Sequence, residues 1–227
     1  MLSTIGRYSK SASENDRLIR ILVTHSNEEE MKSMVNKKNR CVWVSDDPTY
    51  IDYHDNEWGV PIYDDRLLFE YLILEGAQAG LSWITVLKKR DNYRLSFDHF
   101  DAEKIAKYNT AKCEALMANP GIIRHRLKIQ SVVTNAQAYL AVKQAFPSFA
   151  DYIWQFVDGK PICNKWKTHQ HVPTSTPISD RLSKDLKKRG FKFVGTTICY
   201  SFMQAVGMVN DHVTSCFRHT DLTLRGD

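Results

Sequence analysis

Long apolar runs are missing from this 227-residue chain. The longest uninterrupted ones span only a few residues, well short of the roughly 20 that a bilayer requires. Met1 to Thr24 lacks a continuous apolar stretch and a small-residue cleavage site, so no secretory signal is expected. Disulfide-like spacing is missing as well, because the five cysteines are scattered and odd in number. The expectation is a reducing, cytoplasmic location and no membrane partner. Strand patterns are nearly absent, and there is no internal repeat or low-complexity stretch. An all-α fold follows.

What is present suffices for a sizeable core: 43% of residues are hydrophobic and 25% charged. That allows one large domain or two small ones. The net charge of +5 permits a polyanionic partner without requiring one. Placement says more, because Lys88-Lys89-Arg90, Arg124-His125-Arg126 and Lys187-Lys188-Arg189 sit near expected helix ends. Such clusters are either solvated faces or phosphate contacts. Residues 1–40 are polar and read as a flexible extension with a short helix around Leu18 to Val23. Its acidic run Glu28-Glu29-Glu30 argues against an organelle transit peptide.

The remainder reads as helices with short connections. Asp65 to about Ala77 suits a helix buried on most sides. Ser82 is an N-cap for a helix through Leu87. Asp98 or Asp101 starts a short helix toward Tyr108, and Thr110 to Ala118 forms another before Asn119-Pro120-Gly121 breaks it. A long helix is expected from Ile122 to about Ala145, stopped by Pro147, with Ser148 capping the next through Val157. The proline-bearing segment 158–177 reads as loop. Asp180 to Arg189 and Thr196 to Val206 are helices around the glycine-bounded hairpin Gly190 to Gly195, and Gly207 ends the second.

Chemistry concentrates in three places. Tyr50-Ile51-Asp52-Tyr53-His54-Asp55-Asn56-Glu57-Trp58-Gly59 crowds aromatic rings together, and Glu75 then interrupts apolar sequence ahead of Trp83. Rings around a buried acceptor would grip a planar, hydrogen-bonding, cationic ligand such as a nucleobase. An ordinary aromatic core with Glu75 on an exposed helix face is the alternative. The helix, hairpin and helix near the C-terminus present backbone N–H groups beside Lys187, Lys188 and Lys192, an arrangement able to hold a DNA phosphate at Gly195. Helical hairpins are also common packing units. Finally, His212 and Cys216 form an i, i+4 pair. With Cys41 and His54 they would make a closed tetrahedral zinc site, although the two pairs lie far apart in sequence.

From Arg40 to about Cys216 the chain closely resembles the DNA-3-methyladenine glycosylase I family of the helix-hairpin-helix DNA glycosylase superfamily. Cys41-Val42-Trp43-Val44, Tyr50 through Pro61, Leu74-Glu75-Gly76 and Gly80 through Arg90 carry the likeness. Gly121 to Arg126 and Lys187 through Val213 complete it. Val42 departs from the glycine expected there. The resemblance implies a two-lobed helical glycosylase domain over 41–217, a helix-hairpin-helix at about 180–207 and a tail over 218–227. It implies one structural zinc ion on Cys41, His54, His212 and Cys216, joining the ends of the catalytic body.

It further implies a base pocket in which Trp83 stacks on a flipped base while Glu75 and Tyr53 bond its polar edge, with Tyr50 and Trp58 nearby. Asp211, 16 positions beyond Gly195, is a second and weaker catalytic candidate, since it precedes a zinc ligand. Leu81 is either an apolar wedge for the gap in the stack or a buried turn leucine. The expected activity is hydrolytic release of 3-methyladenine from double-stranded alkylated DNA by a monomer. A non-catalytic DNA-binding protein would leave the carboxylate pocket unexplained. A zinc hydrolase is disfavoured because four protein ligands leave the metal no open position.

Overall fold

The computed structural model describes residues 38–223, so the expected extension and its helix around Leu18 to Val23 lie, apart from residues 38–40, outside the described residues. The chain divides between Asn39 and Arg40, and every described helix and strand lies in the second unit. Helices dominate it. The first, α1 (Pro48–Asn56), begins at Asp47, whose carboxylate accepts the Thr49 N–H, and Pro48 occupies the first turn, where its missing N–H costs nothing. The aromatic density of this segment obscures that start signal in the sequence.

Helix α2 (Asp65–Gln78) is capped by Asp64, which accepts the Leu67 N–H at 2.8 Å, and is buried from Leu68 through Ala77. Short helices α3 (Trp83–Leu87), α4 (Arg90–Ser96), α5 (Ala102–Ile105) and α6 (Thr110–Ala118) follow. Ser82 holds the N-cap position of α3, yet its hydroxyl bonds the Thr85 hydroxyl at 2.7 Å rather than a backbone N–H. Asp101, not Asp98, caps α5.

The 20-residue α7 (Arg126–Ala145) starts four residues later than the apolar spacing predicts. His125 is its N-cap, and Ile123 is held outside the helix by an N–H bond to the Tyr93 hydroxyl. Ser148 caps α8 (Phe149–Trp154) through the Asp151 N–H.

The segment read as loop carries a two-residue strand, β1 (Ile162–Cys163), paired in parallel with β2 (Val209–Asn210). Such short strands leave no periodic trace. Helix α9 (Pro177–Lys188) starts earlier than Asp180, because Thr176 and Ser179 form a reciprocal capping box and Pro177 fits the first turn. After the turn 190–195 comes α10 (Thr196–Ala205). Where a tail was expected, α11 (Phe217–Thr223) buries Arg218 and Leu222. No helix among the described residues is long and apolar enough to cross a membrane.

Helix α2 runs through the middle, packed by α3, α7, α8 and α10. The segment 59–62 docks on the end of α10, with Gly59 N–H donating to the Gln204 carbonyl and Ile62 N–H to that of Val206. Gly207 makes this approach feasible. Its φ is +72°, and a Cβ there would lie 2.4 Å from the Pro61 nitrogen. Left-handed backbone costs an L-residue about 1–2 kcal/mol and overpacking about 1–3 more. Gly207→Ala should therefore lose about 2–5 kcal/mol in denaturant unfolding; a midpoint equal to wild type would show that segment 59–62 does not dock here.

Candidate functional site

Four buried side chains from both ends of the described body meet in one cluster. Cys41, His54, His212 and Cys216 offer ligand atoms all within 4.8 Å of one another. Cys216 Sγ lies 3.4 Å from His54 Nε2 and 3.5 Å from His212 Nδ1, and Cys41 Sγ lies 3.6 Å from His212 Nδ1. The outer ring nitrogens are already engaged. His54 Nδ1–H donates to Asp55 at 2.8 Å, and His212 Nε2–H to the Trp58 carbonyl at 3.0 Å. Arg40 in turn grips Asp55 with two bonds of 2.7 and 2.8 Å. Each imidazole thereby turns a lone pair toward the cluster, the arrangement that metal-binding histidines adopt.

Protonation follows from this crowding. The Cys41 hydrogen bond, opposed by burial and helped by the two rings, holds the Cys216 thiol far below its ordinary value. The same bond, with burial, drives Cys41 up. The pair thus carries one proton, and a dication would be needed to ionise both sulfurs together.

A second site adjoins the first because α1 serves both. His54 turns to the sulfurs, while Tyr53, one residue earlier, faces Trp83 with ring centroids 5.4 Å apart. Glu75, from the buried middle of α2, is 4% exposed, and its carboxylate makes no hydrogen bond or ion pair among the described residues. Burial pushes its pKa up to about 8. Burial also raises the phenols of Tyr50 and Tyr53, and the nearby Glu75 charge raises both further. The Trp83 indole N–H is likewise buried without a partner. A carboxylate without a protein partner and an unsatisfied indole N–H among rings leave hydrogen-bonding capacity for a polar, planar guest.

The other expected residues fall in different places. Trp58 packs edge-on against His212 at 4.6 Å, so it walls the sulfur cluster. Asp211 is buried and accepts four bonds of 2.7–2.8 Å, from Asn164, Trp166, Tyr200 and Gln204, which leaves no lone pair for a water. Leu81 is 38% exposed at a turn with Gly80 at φ +78°. Lys187, Lys188 and Lys192 are exposed around the turn 190–195. At Gly195, the N-cap residue of α10, an added Cβ would meet nothing within 4 Å, so the backbone there is open to a close approach.

Several contributors are not evident in the sequence. Trp43 packs on Tyr50, Trp58 and His54 at 5.0, 5.0 and 5.2 Å, linking the two sites. Its place in Cys41-Val42-Trp43-Val44 is the one available signal. Glu57 accepts two bonds from Arg90 and one from the Tyr71 hydroxyl at 2.7 Å. Burial pushes the Glu57 carboxyl up, but Arg90 more than offsets this and leaves it below its ordinary value. No motif connects those three positions.

Comparison with known proteins assigns these residues a context. A family model described as methyladenine glycosylase matches residues 43–219. The DNA-3-methyladenine glycosylase 1 of Escherichia coli (strain K12) is 60% identical over 177 residues, covering 78% of this chain and 95% of that protein. A crystal structure of a 3-methyladenine DNA glycosylase I superposes with a TM-score of 0.78 at 62% identity, covering 79% of this chain and 98% of that one. A tyrosine-to-phenylalanine variant of such an enzyme, solved in complex with 3-methyladenine, gives a TM-score of 0.77 at 40% identity, with 79% and 96% covered.

The raised pKa of Glu75 has a thermodynamic signature. Between its ordinary 4.5 and about 8 the folded state holds a proton that the unfolded state has released. Stability should therefore fall as pH rises through that window and level off above about 8. Glu75→Gln should remove this component in melts of the ligand-free protein from pH 5 to 9; identical pH profiles for both proteins would mean that the carboxyl is solvated.

Proposed function

The chain belongs to the methyladenine glycosylase family, and we propose that it releases 3-methyladenine from alkylated DNA by hydrolysing the N-glycosidic bond, leaving an abasic site. The observation that carries this reading is the buried, partnerless carboxylate of Glu75 among Tyr50, Tyr53 and Trp83. A neutral base would gain little from it. Adenine methylated at N3 is cationic while attached to the sugar, so it offsets the desolvation that otherwise keeps Glu75 protonated.

The chemistry asks little of an acid. A cationic base is already a good leaving group, so extrusion, recognition and stabilisation of an oxocarbenium-like sugar are the main tasks. Trp83 would stack on the extruded base, with Tyr53 and Glu75 bonding its polar edge. Water then attacks the sugar carbon as the base departs with the electrons of the glycosidic bond. The pattern sets no lysine in the pocket, which accords with a hydrolase that has no lyase step. Asp211 is committed to its four donors and serves as an anchor in this scheme.

Double-stranded DNA is the proposed substrate form and a cytoplasmic monomer the proposed state. Helices α9 and α10 with the turn between them act as a helix-hairpin-helix. Lys187, Lys188, Lys192 and the open backbone at Gly195 hold phosphates, which carry no sequence information. Leu81, exposed at its turn, serves as the wedge.

Free base released from methylated duplex is the direct test, and wild type should release 3-methyladenine. Glu75→Gln keeps the shape but loses a charged hydrogen bond to the cationic base, typically about 1.5–3 kcal/mol, so release from methylated duplex should slow roughly ten- to a hundred-fold. Equal single-turnover rates of release by the two proteins would remove Glu75 from the pocket.

The metal reading is proposed as one structural zinc ion on Cys41, His54, His212 and Cys216. Two thiols, two correctly turned imidazoles and full burial fit it, and a closed donor set suits zinc that holds structure rather than one that activates water. When bound, it would staple Cys41, close to the start of the body, to Cys216 near its end. Losing a metal ranks among the changes that cost about 4 kcal/mol or more, or roughly 8–16 °C for a chain of this length. Elemental analysis of wild type should give about one zinc per chain, and Cys216→Ala should lose both the metal and that stability. Metal-free wild type purified without chelator would overturn the assignment.

A further inference from the structure

Two DNA-facing turns are tied to one face of α7. The first is the turn after α2 that carries Leu81. Helix α2 ends without a glycine cap; its C-cap Ala79 adopts φ −44° and ψ 116°, so the last carbonyls of the helix need outside donors. Lys128 supplies them. Its Nζ donates to the Ala77 carbonyl at 2.8 Å and to that of Ala79 at 2.7 Å. A cation there also suits the negative end of the helix dipole. Within the turn, Gln78 closes the loop through a bond from its Nε2 to the Leu81 carbonyl at 2.9 Å.

The second is the turn 190–195. Asn135, itself buried, accepts the Lys192 N–H at 2.7 Å and donates to the Lys192 carbonyl at 3.1 Å, clamping that backbone from both sides. Lys128 and Asn135 are seven residues apart, two turns of α7, so they share a face about 10.5 Å apart along the axis. The turn 190–195 also meets α2 without slack. A Cβ on Gly76 would lie 3.2 Å from Phe193 Cβ, and the cavity between α2, α7 and Phe193 holds only about 10 Å³.

We infer that Lys128 is a positioning residue for base extrusion, holding the Leu81 turn in register with the phosphate-binding turn that Asn135 clamps two helical turns away. The inference rests on the glycosylase reading above. Driving an apolar side chain into the base stack pushes the turn back, and that push opens the duplex only if the turn is braced against the part that grips the phosphates. Lys128 belongs to neither turn, and its ammonium is committed to the Ala77 and Ala79 carbonyls. Its loss should therefore affect extrusion selectively, leaving pocket affinity and phosphate grip in place.

The test uses the full chain and three readouts on each variant. These are the single-turnover rate of base release from methylated duplex, the affinity for free 3-methyladenine, and the affinity for undamaged duplex. Misplacement by about 1 Å can cost about a hundred-fold, so Lys128→Met should slow release roughly ten- to a hundred-fold while both affinities stay within about two-fold. Lys128→Arg, which can reach both carbonyls, should recover most of the rate. An unchanged rate in Lys128→Met overturns the inference, as does a parallel loss of all three readouts, which would mark general loosening. Should Lys128→Met not fold, Lys128→Gln decides: a wild-type rate overturns, and a reduced rate with intact affinities supports. Wild type that releases no base would instead fail the glycosylase reading, a separate outcome.

Discussion

Helix α2 is buried around its whole circumference, so every neighbouring element has to wrap it, and any polar group on it must be satisfied or left dry. Two glutamates show the two outcomes. Glu70 is buried but meets Arg94 at 2.8 Å, which offsets the loss of water. Glu75, five residues on, meets no cation and is held protonated near neutral pH by burial. A protein gains no stability from such a group. Its cost makes sense when a ligand supplies the missing charge, and this is the physical basis of the selectivity proposed here.

The pocket and the sulfur cluster are two sides of one short helix. Tyr53 and His54 are consecutive on α1 and diverge by about 100°, one toward Trp83 and the other toward Cys216. Trp43 fills the space between them. Anything that loosens the cluster therefore shifts a wall of the pocket. The ion pair of Glu57 and Arg90, joined by Tyr71, ties the C-terminal end of α1 to α2 and α4 in the same way.

Asp211 shows how position misleads. It follows the turn 190–195 at an interval suited to catalysis, yet its oxygens are consumed in joining α10 to the loop around Asn164 and Trp166.

Local chemistry made much of the fold readable. Ser148 and the glycine-bounded turn announce helix boundaries through the hydrogen bonds and backbone angles they permit, and unbroken apolar spacing announces α2. Cys41, His54, His212 and Cys216 were legible as donor types, and Glu75 as an oddity in apolar surroundings. What the sequence could not contain is distance. That Cys41 reaches His212, that Glu75 faces inward without a cation, and that Lys128 caps a helix some fifty residues earlier depend on how α2 is enclosed. The same holds for β1 and β2, which pair only because the end of α10 and the loop after α8 are brought together. Residue type and local spacing determined which chemistry was available; packing around one buried helix decided which groups meet, which lose their water, and hence which of them act.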